Sequence, residues 1–231
     1  MENKLELLKK VYYIISESSV VSGRTVSDVK LIAVSKKKSP ENIEELRRCG
    51  IRDFGENYVQ EFLEKYERLK ELDINWHFIG TLQRNKVKYI VDKVYMIHTV
   101  DSVKLAKEIS KEATKKNIPK MKILLQVNVG KEAQKGGFMP EDIFDAYREI
   151  STIERLEICG LMSIPPFLSS EELRPCHREL ARLKQDILNK CDADENVFKE
   201  LSMGMSSDFD TAIEEGATIV RLGTILFGAR S

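Results

Sequence analysis

The stretch LIAVSKKK, residues 31–38, holds the side chain best suited to covalent chemistry. An apolar run ends in Ser35 and then in Lys36, Lys37 and Lys38. Side chains alternate faces along a strand. Ile32, Val34 and Lys36 therefore share one face, and Leu31, Ala33, Ser35 and Lys37 share the other. Leu31 and Ala33 are short and apolar, which suits packing beneath outer helices. Lys36 then points inward with Ile32 and Val34. A lysine held there is partly desolvated, and a nearby cation would favour its neutral form further. A neutral amine is a nucleophile that can form a Schiff base. The plain alternative, a solvated ammonium, fits Lys37 and Lys38 as the exposed start of a loop.

A second group of candidates lies near the far end, in ELSMGMSSDFDTAIEEG and VRLGTILFG. Gly204 and Gly223 let backbone amides approach an anion closely. Ser202, Ser206 and Thr224 add hydroxyls, and a helix beginning near Ser207 would present free amides. Ser207 and Asp210 also resemble a capping box, with Asp208 as a first-turn charge, and these acids would compete with a phosphate. Arg221 shares a face with Ile219 and Gly223, so it too can point inward.

These groups must be positioned by regular elements, and the chain supplies them in strict alternation. Strand-like runs VKLIAVS, IRDFGEN, NWHFIG, VYMIHTV, KILLQVNV, LEICGLMSI, FKELSMG and TIVRLGTILFG are separated by helical patterns. The segment SPENIEELRRCG shows the order of a helix: serine before proline, early acids, late arginines, closing glycine. Such alternation implies parallel strands and right-handed crossovers. Eight repeats predict an α/β fold, a single (β/α)₈ TIM barrel with an additional N-terminal helix over the gap after strand eight. An open doubly wound sheet is the alternative. With no linker composition anywhere, residues 1–231 read as one domain. GKEAQKGG, residues 130–137, reads as a long mobile loop after strand five.

Bulk properties narrow the function classes. The 231 residues carry 37 Lys and Arg against 37 Asp and Glu. That balance disfavours gripping phosphate backbones as the main task. Cys49, Cys159, Cys176 and Cys191 form no C-x-x-C pair, so zinc and dithiol chemistry lack their usual spacing, and reduced thiols are expected. No run reaches membrane-spanning length and the N-terminus lacks an apolar signal core, so a cytoplasmic protein is expected.

In a barrel, catalytic and binding groups gather at the C-terminal strand ends, and the last two loops are a recurrent phosphate site. Amine, cation and phosphate cradle then converge, and pyridoxal 5'-phosphate satisfies all three. Its aldehyde suits Lys36, its phosphate the last two loops, and its ring nitrogen Arg221. A cationic partner keeps that nitrogen unprotonated and weakens the ring as an electron sink.

The ordered blocks AVSK, FGENYVQE, WHFIG-LQ-NK, QVN, GLMSI and LSMGMS-D---AI--G-T-VR-GT--FG resemble the pyridoxal phosphate homeostasis proteins. These are single-domain relatives of the N-terminal barrel of alanine racemase. The resemblance covers residues 30 to 230. It implies a lysine-linked cofactor at Lys36, Arg221 near the ring nitrogen, and Ser202, Gly223 and Thr224 around the phosphate. Asn57 and Met162 would line the ring. With Met203 and Ser206 from the strand-seven end, these form the candidate cofactor-binding set. The family implies a carrier or buffer of the cofactor in vitamin B6 and amino-acid homeostasis. Pyridoxal-phosphate-dependent apoenzymes are the candidate recipients, and the lack of an obvious second interface domain favours a monomer. Alanine racemase adds a β-rich domain bearing a catalytic tyrosine. Here the sequence ends just after strand eight, so an open site is expected.

The competing reading is a pyridoxal-phosphate-dependent racemase or related enzyme. It needs a second proton-transfer group opposite Lys36, for which His77 and Tyr58 are the candidates. A nucleic-acid-binding or plain phosphate-binding barrel would rest on KKK and QRNKVKY alone. His98 and His177 show no constellation in the sequence and read as structural or surface residues.

Overall fold

A computed structural model describes residues 4–166 and 168–228. Eight parallel strands close into a barrel in sequence order. They are β1 (Lys30–Val34), β2 (Asp53–Glu56), β3 (Asn75–Phe78), β4 (Met96–Val100), β5 (Met121–Gln126), β6 (Leu156–Met162), β7 (Glu200–Ser202) and β8 (Ile219–Leu222). Closure is made by β1 on β8, with Lys30 opposite Ile219 and Ile32 opposite Arg221. The helices are α1 (Lys4–Val21), α2 (Pro40–Arg48), α3 (Val59–Arg68), α4 (Val87–Ile90), α5 (Val103–Lys115), α6 (Ile143–Ser151), α7 (Ser170–Lys190), α8 (Phe209–Glu214) and α9 (Thr224–Phe227). A 3-10 turn at Val26–Asp28 precedes β1, and another at Arg84–Lys86 leads into the short α4.

Strand parity sorts the core into two layers. Leu31 and Ala33 belong to the large layer between barrel and helices. Ile32 belongs to a small apolar cluster inside the barrel with Met96, Leu124, Cys159, Met162 and Ile219. The rest of the interior is polar, and this matters below.

The last strand is shorter than its apolar run. Residues 218–228 read as one strand, but β8 stops at Leu222 and Thr224–Phe227 wind into α9. An apolar run carries no period, so strand and buried helical turn look alike in it. Because α9 is one turn long, α1 completes the outer layer by packing on α8 and α9. Leu8, Val11 and Ile15 enter the main core, and Lys4 Nζ donates to Leu226 O at 2.7 Å.

The segment 130–137 is a loop after β5, as expected. It folds back on β5: Phe138 N donates to Gln126 O (2.8 Å) and Asn128 N to Phe138 O (2.9 Å). Gln126 Nε2 holds Gly136 O (2.7 Å), and Lys135 Nζ reaches Pro165 O (2.7 Å). The exposed strand end supplies the partners that backbone groups need.

Two glycines are required by contacts at the site end. A Cβ on Gly80 would lie 2.1 Å from Asn57 O, so only glycine lets the β3 end lie against the β2 end. Gly204 has φ +89°, and its Cβ would meet Ala212 Cβ at 2.6 Å.

Candidate functional site

A cavity of about 460 Å³ opens at the C-terminal strand ends. Lys36, Asn57, Ser206, Arg221, Gly223 and Thr224 line it together. Val34 and Ile79 supply apolar wall on the β1–β3 side, and Ile164, Pro166, Leu168 and Leu173 on the β6–α7 side.

The backbone around Lys36 is clamped on both sides. Ser35 Oγ donates to Glu56 Oε1 at 2.6 Å. Lys65 Nζ donates to Ser35 O, Glu56 Oε1 and Glu61 Oε1, each at 2.7 Å. Three N–H donors thus meet three acceptors at a lysine only 4% exposed. Glu61 also accepts the Lys37 backbone N–H, where the chain turns through φ +59°. Burial raises the Glu56 carboxyl above the usual range, with Lys65 pulling the other way. This ionic knot arises because α3 returns across the β1 and β2 ends.

Arg221 is 4% exposed. Its Nη1 donates to Ser202 Oγ and its Nη2 to Ser163 O, both at 2.8 Å. Burial pushes its pKa down to about 10, against the opposing pull of Asp208. It is still a cation at neutral pH. Beneath it Ser202 Oγ contacts His98 Nδ1, His98 Nε2 contacts His77 Nδ1, and His77 Nε2 contacts Asp53 Oδ1, each at 2.9 Å.

At the β7 and β8 ends, Ser206 Oγ accepts the N–H groups of Gly223 (3.3 Å) and Ile225 (3.4 Å). The expected capping box at Ser207 and Asp210 does not form. The helix starts later, at Phe209, and Asp208 faces inward. Asp208 accepts Met205 N–H at 2.9 Å and contacts His177 Nε2 at 2.9 Å. Those contacts occupy its carboxylate and brace the loop that carries Ser206.

Three sequence-predicted residues do not line the cavity. Met162 sits in the apolar cluster inside the barrel. Ser202 is fully buried below Arg221, and Met203 is fully buried in the outer layer. The period of two turns neighbours at the β7 end to opposite faces. The two proton-transfer candidates are also elsewhere: His77 is buried in the barrel axis and Tyr58 is 54% exposed at the start of α3. Sequence reading missed the pairing of His77 with His98 and of His177 with Asp208. For the first pair, inward parity on β3 and β4 was an available signal. For the second, α7 and the loop before α8 meet only in three dimensions. The four cysteines are unpaired. Among the described residues there is no metal-holding cluster, and no helix is long and apolar enough to cross a membrane.

Comparison with known proteins places this geometry among relatives. Residues 19–231 match the family described as alanine racemase, N-terminal domain. The chain is 46% identical over 229 residues to a pyridoxal phosphate homeostasis protein of Aquifex aeolicus, covering 99% of both chains. It is 42% identical over 231 residues to one of Pseudomonas aeruginosa, covering 100% of this chain and 97% of that one. PipY of Synechococcus elongatus, 36% identical, has been solved without and with pyridoxal phosphate. The TM-scores are 0.81, covering 87% of this chain and 93% of that one, and 0.77, covering 93% and 100%. Alanine racemase of Clostridium difficile shares the fold at a TM-score of 0.76 and 16% identity, over all of this chain and 56% of that one.

Proposed function

The chain belongs to the pyridoxal phosphate homeostasis protein family, and from that membership we propose that it binds pyridoxal 5'-phosphate as a carrier or buffer in vitamin B6 and amino-acid homeostasis. The observation that carries this is the convergence of Lys36, Arg221 and the Ser206–Gly223–Thr224 corner on one cavity of about 460 Å³. That size is within the usual range for small-molecule sites, roughly 300–1,000 Å³.

The residues fit the group. Asn57 Oδ1 is buried without a protein partner at the cavity wall, a cost that a ligand donor would relieve. The Gly223 and Ile225 amides make only long bonds to Ser206 Oγ, so they are available to an anion. When bound, the cofactor supplies an aldehyde and an electron-withdrawing ring. Lys36 would hold that aldehyde as a Schiff base. Arg221 would face the ring nitrogen as a donor, and Thr224, Ser206 and the Gly223 amide would take the phosphate. Asn57 would lie along the ring.

The reading is one of holding, not of turnover. A buried guanidinium can only donate and has no lone pair to accept a hydrogen bond, so it keeps the ring nitrogen unprotonated. His77 and Tyr58 lie off the cavity, which supports a carrier over a racemase. The same reading treats residues 1–231 as one binding domain, monomeric and cytoplasmic, that yields cofactor to apoenzymes.

The test is absorbance after incubation with pyridoxal phosphate. Wild type and Lys37→Ala should show the band of a lysine-bound cofactor, and Lys36→Ala should lack it. No band in wild type would overturn the proposal.

A further inference from the structure

We propose that Ser202, His98, His77 and Asp53 form a one-directional hydrogen-bond chain along the barrel axis that fixes how Arg221 is presented to the ligand. The positioning part of this inference rests on the cofactor reading above. The direction of the chain does not.

The direction follows from the two ends. Arg221 can only donate, so Ser202 Oγ accepts from Nη1 at 2.8 Å. The Asp53 carboxylate can only accept, so His77 Nε2 carries a hydrogen toward Oδ1 at 2.9 Å. His77 in its neutral form then has a bare Nδ1, which takes the Nε2–H of His98 across 2.9 Å. His98 Nδ1 is left bare and receives the Ser202 hydroxyl hydrogen, also across 2.9 Å. Each of the four contacts is satisfied once, with both imidazoles neutral and both Nε2-protonated.

The surroundings favour the neutral state. His77, His98 and Ser202 are fully buried. Burial lowers the His98 pKa well below its ordinary value, and His77, Arg221 and Lys30 push it the same way. Burial also lowers His77, as does Lys30, while Asp53 and Glu200 oppose. Asn75 Nδ2 supports Asp53 Oδ1 at 3.3 Å. A proton added to His77 would set Nδ1–H against the Nε2–H of His98. Relieving that conflict reverses the His98 tautomer and leaves Ser202 facing two donors.

This changes the assignment of Ser202. Its parity on β7 and its contacts remove it from the phosphate corner and place it beneath the arginine. Among the described residues the long, flexible Arg221 stem is held through hydrogen bonds to the Ser202 hydroxyl and the Ser163 carbonyl. Ser202 can accept from it in this register because its own hydrogen goes to His98. The four residues are positioning residues that act through Arg221.

Two measurements test this. Long-range ¹H–¹⁵N NMR of the ligand-free protein at neutral pH should show His77 and His98 as neutral Nε2–H tautomers. An Nδ1–H tautomer or an imidazolium at either residue would overturn the chain. Pyridoxal phosphate titrations should show about tenfold weaker binding and a shifted absorbance band in Ser202→Ala, as expected for loss of one hydrogen bond to a charged group. Ser202→Thr, which keeps the hydroxyl, should return both to wild type. Binding and band unchanged in folded Ser202→Ala would overturn the positioning role. If Ser202→Ala does not fold, Ser202→Cys, close in volume but a weak donor, takes its place with the same expectations. Wild type that fails to bind the cofactor would end the functional reading and the positioning role with it, while the tautomers still decide the direction.

Discussion

At the scale of single residues, Lys36 depends on neighbours it does not resemble. Lys65 is nearly as buried as a core leucine, yet it ties Ser35 O, Glu56 and Glu61 in one place. Removing one partner of a buried ion pair strands the other charge, at a cost of about 3–5 kcal/mol. Lys65→Met should lower the unfolding free energy by that amount in urea titrations. Adding Glu56→Gln should recover much of it, since the fully buried charge is then gone and only Glu61, whose side chain is 24% exposed, still faces the methionine. A loss below about 1 kcal/mol in Lys65→Met would mean that Glu56 is already neutral in the fold. Parity assigns Lys36 and Lys37 to opposite faces and only Lys36 of the two lines the cavity, but β1 ends at Val34 and the backbone turns at Lys37 (φ +59°), so the turn and not strand parity sets their directions. Lys65 was out of reach of that argument: Glu61 is its neighbour one turn back on α3, but Glu56 and Ser35, 9 and 30 residues away, meet it only after α3 has docked. Met203 is a different case: period two alone turns it away from its neighbour Ser202 and into the layer between barrel and helices.

At the scale of elements, alternation was legible nearly throughout, and the exception at the last strand has a physical cause. Strands and helices announce themselves by period, and short apolar runs have none. TILFG therefore reads as strand and is a helical turn. The N-terminal helix shows how one element makes up for another. With α9 only one turn long, α1 supplies the apolar face that the barrel needs on that side. Ile15 is fully buried there, whereas Tyr13 on the same helix is 66% exposed. Ile15→Ala should destabilise the protein by about 2–5 kcal/mol. Tyr13→Ala should stay within about 0.5 kcal/mol of wild type by the same urea titration. Equal effects would mean that α1 does not carry core packing.

At the scale of the whole molecule, the barrel axis is half apolar and half polar, and the polar half sets a pH response. Inward parity marks His77 and His98 one strand at a time, but Asp53, His77, His98 and Ser202 come from four strands that only closure brings together. Burial depresses the folded pKa of His77 and of His98. In the unfolded chain both return to about 6.5. Below that pH the unfolded state takes up protons that the folded axis refuses, so stability must fall as pH drops. The slope is at most about 1.4 kcal/mol per pH unit for each imidazole. Above about pH 7.5 both states are neutral at these positions and the contribution is constant. Other groups act in different windows or with the opposite sign. The depressed Asp53 carboxyl contributes stability that is lost only on acidification below its unfolded value of about 3.9. Glu56, raised by burial, contributes stability that is lost as pH rises above about 4.3. The difference between wild type and His98→Gln removes these shared terms. Urea titrations from pH 7.5 to 5.0 should show wild type losing stability more steeply than His98→Gln across pH 6.5 to 5.0. Parallel curves would mean that His98 is protonated as readily in the fold as out of it, and the axis would then have to accommodate a cation beside Arg221.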